Sequence, residues 1–266
     1  MAAAPWIAVL VALFLWWFST GAILVVVRRS AGGRGRAALW SLPVLALGLL
    51  GFWLSLDRTD ILWVYMGFAA ALAIWGWIEL AFLTGVITGP NSHPCPPGAP
   101  FFERFIRAWG TIAHHESLLV LIAIALAALS WAQPNPVGAW CFGILFVARI
   151  SAKLNLFFGV PKFNVEFLPD HLAHLPSHFK IAQMNWFFPV SVTLLSALVA
   201  MFIARAGHAD SPALSITQAL LATLSALALL EHWLLVLPLP DAKLWRWMLP
   251  DQKPISLNAR EERHGI

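Results

Sequence analysis

Ionisable side chains are rare along this chain, and those set into its apolar runs are of the types that do chemistry. Glu79 lies in IWGWIELAFL, the triplet His114, His115 and Glu116 opens another apolar run, Arg149 and Lys153 sit one helical turn apart in ARISAKLN, and Glu231 and His232 interrupt LLEHWLLV. A polar block, RISAKLNLFFGVPKFNVEFLPDHLAHLPSHF, adds Asn155, Glu166, His171, His174 and His178. Carboxylates and imidazoles supply oxygen and nitrogen ligands for zinc, iron or manganese, and a neutral imidazole can bind the metal of a tetrapyrrole from the side. A third chemistry is purely structural, with buried acids and bases joined as hydrogen bonds between helices and long cations reaching to the membrane surface.

No strong ligand motif selects among these. His114-His115-Glu116 is not HExxH, and successive residues on a helix point about 100° apart, so at most one of the histidines, and not Glu116, is expected on a shared face. The eight-histidine pattern of membrane di-iron desaturases is absent. Leu-Pro-x-His occurs twice, one heptad apart, at Leu168 to His171 and Leu175 to His178. A continuous helix would align His171, His174 and His178, but Pro176 lacks the amide that such a helix needs. Asn164 and Glu166 read as caps of the first turn. For tetrapyrrole ligation, His232 and His114 or His115 have suitable depth. Arg149 and Lys153, near the end of their run, fit snorkelling cations.

The elements that must position these groups are membrane helices. Hydrophobic residues make up 60% of the 266 and charged ones 11%, with a mean hydropathy of +0.76, far from the balance of a soluble domain. A span needs about 20 apolar residues, which predicts seven: Pro5 to Val27, Ala37 to Leu56, Ile61 to Ile87, Thr111 to Trp131, Val137 to Phe158, Asn185 to Ala204 and Ala213 to Leu237. The fold class is therefore an all-α polytopic bundle forming a single membrane domain over residues 1–266. The first span has no basic leader and exceeds a signal-peptide core, so it reads as retained. Thr88 to Pro100, TGPNSHPCPPGAP, reads as a rigid connector, and FFERFIRAWG as an amphipathic interfacial lead-in to span four.

Fifteen of the 17 Lys and Arg residues fall after odd-numbered spans or near their ends, the exceptions being Arg58 and Arg205. Basic residues are retained in the cytoplasm, so the N-terminus is expected outside and the C-terminus inside, as a multi-pass protein of a bacterial inner membrane. On that orientation Glu79, Glu231, His232, His115, Glu116 and the polar block gather towards the cytoplasmic half, as if around a pocket opening there. A charged group in hydrocarbon costs roughly 2.5–3.5 kcal/mol on insertion scales, so Glu79 and Glu231 should face inward, be protonated or meet a partner, for which His114, His115, Arg149 and Lys153 are available. The basic balance is a topology signal, and nucleic-acid binding is excluded as a role. Cys95 and Cys141 form no CxxC pair. No inverted repeat points to a transporter.

The run Ala148 to Phe179, with WWFSTG at Trp16 to Gly21, TGPNSHPCP at Thr88 to Pro96 and the His115-Glu116 pair, resembles the PuhE family, photosynthetic-complex assembly proteins of purple and related bacteria. The resemblance spans the chain from first helix to last. It implies an integral inner-membrane protein that assists reaction-centre or light-harvesting assembly, possible bacteriochlorophyll supply, and partners among photosynthetic complex subunits or pigment-synthesis proteins besides the lipid bilayer. It matches His115, Glu116, Lys153, Asn155, Glu166 and His171, and departs from the family's tyrosines at His174 and His178. A non-enzymatic assembly factor is the expected function. The rival is a metal-dependent oxidoreductase acting on a tetrapyrrole or another lipid-soluble substrate from the cytoplasmic leaflet, so the implied cofactor is either bacteriochlorophyll or a transition metal.

Overall fold

The computed structural model describes residues 4–30, 34–161, 163 and 168–237. Its elements are α1 (Pro5–Arg29), α2 (Arg34–Trp40), α3 (Leu42–Ser55), α4 (Ile61–Leu83), α5 (Phe101–Leu129), α6 (Val137–Phe158), α7 (Phe187–Gly207) and α8 (Pro212–Leu234), with two 3-10 turns, Asp170–Leu172 and Leu175–His178. Among the described residues seven spans are long and apolar enough to cross a membrane, as the sequence predicts, with Gly35–Ser55 counting as one. The protein is an all-helical, multi-pass membrane bundle.

Two expectations change in detail. The second span is not one smooth helix, because α2 and α3 meet at Ser41, where Pro43 cannot donate an amide to the ladder. The lead-in before span four is not a separate interfacial helix: Phe101 to Leu129 runs unbroken. At 1.5 Å per residue its 29 residues reach roughly 43 Å, longer than a hydrocarbon core of about 30 Å, and its first turn lies against the end of α6, where the Phe101 ring packs on those of Phe157 and Phe158.

The centre belongs to α8, which packs against α1, α4, α6 and α7, while α3 lies along α4 and α5 leans on α6 and α4. Without a hydrophobic drive between helices in lipid, close approach needs small residues. Gly138 of α6 is such a place: a Cβ there would fall 2.7 Å from a Phe52 ring carbon and 2.9 Å from the Gly67 carbonyl oxygen. This end of the bundle, where α1 begins, is tied by Asn135. Its backbone N–H donates to Leu56 O at 3.0 Å, and its Nδ2 donates to Arg58 O at 2.9 Å and Trp63 O at 3.2 Å.

The opposite end, where α8 finishes, holds the two long connections. The one after α6 is closed at its neck, where Val160 and Ile181 form a bridge and Lys180 N–H reaches Leu156 O at 3.1 Å. Its turns send Leu172 and Leu175 inward onto Phe82, packed with Ile112 and Phe179. Arg104 Nη1 fastens it by donating to Phe157 O and His178 O, each at 2.9 Å. The connection is a plug in the end of the bundle.

Candidate functional site

Beneath the plug, α4, α5 and α6 bring five ionisable side chains together. Arg149 and Lys153 are four residues apart on α6 and so share a face; Arg149 meets α4 and Lys153 meets α5. Arg149 Nη2 donates to Glu79 Oε2 at 2.8 Å, and Lys153 Nζ donates to Glu116 Oε1. His115 lies between the pairs, with Nε2 3.9 Å from Glu79 Oε1. Exposures of 0% for His115, 1% for Glu116 and 8% for Glu79 place the acids and the imidazole inside protein. In such surroundings a charge is tolerated only when paired.

This arrangement corrects two expectations. Lys153 does not snorkel but turns inward, and Arg149, its side chain 36% exposed, bends to Glu79, because leaving either carboxylate unpaired in hydrocarbon would cost more than ordering a long side chain. Glu116 is also not excluded from the face of His115. A helix enclosed on two sides buries an arc wider than 100°, so both residues fit within it while His114 is left exposed.

A clamp sets the position of His115. Thr88 O accepts the His115 backbone N–H at 3.0 Å, Asn91 N–H donates to Gly110 O at 3.0 Å, and Asn91 Nδ2 donates to Arg107 O at 3.0 Å. The loop lies so close to α5 that a Cβ on Gly89 would sit 2.1 Å from Gly110 O. The segment read as a rigid connector is thus stitched to the helix that carries the buried pair. Glycines at both 89 and 110 are the sequence signal for that contact. Phe82 packs on the other side, its ring 4.5 Å from that of His115 and 5.7 Å from Lys153 Nζ.

The remaining candidates divide among three places. His232 is buried, with Nδ1 2.8 Å from Ala228 O and Nε2 2.9 Å from Ser151 Oγ. A carbonyl only accepts, so Nδ1 donates and Nε2 takes the serine proton in the neutral ring. Glu231, one residue earlier, is exposed on the surface of α8, so of the alternatives expected for it, it meets a partner rather than facing inward. It bonds with Trp16 and lies within electrostatic reach of Arg149 and Glu79. Asn155 is a tie: its Nδ2 donates to Ser151 O and Ser191 Oγ at 2.9 Å each. Asn185, a partner that sequence reasoning passed over, donates to Gly159 O at 2.8 Å and accepts the N–H groups opening α7. Glu166 lies outside the described residues.

His171 belongs to the plug, away from the buried pairs. It covers Gly85, whose φ of +77° suits glycine and where a Cβ would fall 2.8 Å from the ring. With His174, Asn91, Ser92, Thr84 and Thr88 it borders an open cleft of about 470 Å³. His171 stands on the first short turn, while His174 caps and His178 ends the second, so the three form no face on one continuous helix. Burial pushes the imidazoles of His174 and His178 below the usual histidine value, while carbonyl hydrogen bonds, from His171 to His174 and from His174 and Leu175 to His178, pull them partly back up.

The buried donor sets do not fit the cofactors the sequence raised, and of the three histidines read as tetrapyrrole ligands only His114 is exposed. Among the described residues no three His, Cys, Asp or Glu side chains gather at metal-binding spacing, and each buried carboxylate is already neutralised by a cation. For a tetrapyrrole, His232 has both ring nitrogens engaged, and His115 is sealed between Phe82 and the pairs. What the layer can do is hold helices in register and carry protons.

Comparison with known proteins covers nearly the whole chain. No solved structure matches the chain. It is 49% identical over 250 residues, 92% of its length and 91% of the other, to a Rhodobacter capsulatus protein named only as an uncharacterized 30.4 kDa protein in the puhA 5' region. Residues 2–256 match the model of a family described as protein of unknown function, DUF3623, and the chain therefore belongs to the DUF3623 family.

Proposed function

We propose that this chain is a non-enzymatic assembly factor for the photosynthetic reaction-centre or light-harvesting apparatus, forming one domain in a bacterial inner membrane with its plugged, basic end in the cytoplasm. The observation that carries this reading over an enzymatic one is that Glu79 and Glu116 each close on a cation. Carboxylates neutralised in this way serve as struts, and the surfaces left for interaction are the plug and the cleft at its rim. The relative's place in a puhA region supports a photosynthetic setting, in keeping with the resemblance to the PuhE family. The partners would be subunits of those complexes or pigment-synthesis proteins, and delivery of bacteriochlorophyll is the finer form of the same role. A metal-dependent oxidoreductase has less support, since it needs ligands where the ion pairs stand.

Deletion of the gene in its host, complemented by wild type or by variants of the cleft residues, tests the proposal. The expected outcome is a fall in assembled complexes with the chemical identity of the pigment precursors unchanged. Accumulation of one new, chemically distinct precursor would favour catalysis instead.

A further inference from the structure

The buried layer has unused hydrogen-bonding capacity. Glu79 Oε1, Glu116 Oε2, Arg149 Nε and both ring nitrogens of His115 are enclosed without a hydrogen-bond partner. Inside a membrane an unmet polar atom costs several kcal/mol, and buried polar groups are in general satisfied. Something small must meet them. The charges of Glu79 and Arg149 cancel, as do those of Glu116 and Lys153, so the layer has no net charge to hold a cation. The species must be neutral and able both to donate and to accept, because the imidazole offers one donor and one acceptor while the carboxylate oxygens only accept. Water meets these requirements, as it does for other buried polar clusters.

We propose that Glu79, His115 and Glu116 hold internal water and form a proton-exchange site within the membrane. His115 is the hub. An imidazole can release a proton from one ring nitrogen while taking one at the other, and its Nε2 lies 3.9 Å from a free carboxylate oxygen. A proton taken up at Nδ1 is matched by one passed from Nε2, through water, to Glu79 Oε1. No electrons move, and the layer gains one positive charge per proton bound. From α6 the site is faced by Arg149 and Lys153; Glu231 of α8, exposed, is within electrostatic reach of Arg149 and Glu79, while His232 is occupied with Ser151. His171, His174 and His178 lie in the plug, where Phe82 separates His115 from the cluster containing Leu172 and Leu175. The site stands whether or not the chain acts in assembly.

The test uses the full chain in phosphatidylcholine nanodiscs with ¹⁵N-labelled histidine, comparing wild type with His115→Asn to assign the signal. His115 is expected to exchange between its two neutral tautomers. A pH-jump infrared difference spectrum should contain a protonated-carboxyl band that is lost in Glu79→Gln and retained in Glu231→Gln. A His115 signal locked in one tautomer at every pH, or a carboxyl band that survives Glu79→Gln, overturns the proposal. Should either variant fail to fold, the wild-type spectra decide: no carboxyl band sensitive to pH and to deuterium exchange also overturns it.

Discussion

The two ends of the bundle close in different ways. At the end where α1 begins, three helices touch through Gly67, Gly138 and Phe52, and a single amide side chain, Asn135, ties one connection to the other. At the opposite end, two ion pairs, a stitched loop and a hydrogen-bonded plug occupy the same depth of chain. The first is assembled from small apolar surfaces that tolerate one another. The second is assembled from groups that are costly alone and acceptable only together. Damage should therefore be graded at the first end and abrupt at the second.

The largest effect should come from breaking one ion pair. Lys153→Ala leaves Glu116 charged in a site 1% exposed, which should cost about 3–5 kcal/mol, read as a loss of thermal stability in detergent or nanodiscs. Removing both charges together, Glu116→Gln with Lys153→Met, should recover most of it. If the double variant were as unstable as the single, the pair would not be the unit of stability at this end.

Next come the two glycine contacts, one at each end. Gly89→Ala pushes a methyl group into the backbone carbonyl of Gly110, which cannot move without shifting α5. The cost is expected at the upper part of the roughly 1–3 kcal/mol of ordinary overpacking, with increased proteolysis within Thr88–Pro100. Gly138→Ala meets the Phe52 ring, which can turn, and the Gly67 carbonyl oxygen at 2.9 Å, less close than the 2.1 Å at Gly89, so its cost should be lower, about 2 kcal/mol. Equal effects would erase the distinction between the ends. Smaller still, Asn135→Ala should cost about 1 kcal/mol through the Arg58 and Trp63 carbonyls it leaves unmet.

This contrast also explains what could be read from sequence. Hydrophobic length alone found all seven spans, because each helix must satisfy its own backbone in lipid. The convergence of Glu79, His115, Glu116, Arg149 and Lys153 was legible by depth, since depth follows from position along a span. Which acid met which base was not, because it depends on helix rotation, and weakly amphipathic membrane helices give little rotational signal. That is why Arg149 and Lys153 read as snorkelling. The clamp was missed for a related reason: Thr88, Gly89 and Asn91 act through backbone atoms and a short amide, which side-chain chemistry does not advertise.

The smallest expected effect separates the plug from everything below it. Burial lowers the imidazole pKa of His174 and His178 from the ordinary value of 6.5, so between the folded and unfolded values the opened plug binds more protons than the closed one. By linkage, closure is fully favoured above about pH 6.5 and weakens as the pH falls towards the lowered folded values. Hydrogen exchange of amides 168–182, corrected for its intrinsic pH dependence, should show protection falling on acidification from about pH 7.5 to about pH 5.5. The amides around Asn135, with no histidine beside them, should keep theirs. His178→Asn removes the more buried of the two titrating rings and should flatten the dependence, leaving the remainder to His174. Protection that rises on acidification would reverse the sign of the argument. Equal loss at both ends would mean that the plug opens only with the bundle, and that the two ends are one cooperative unit.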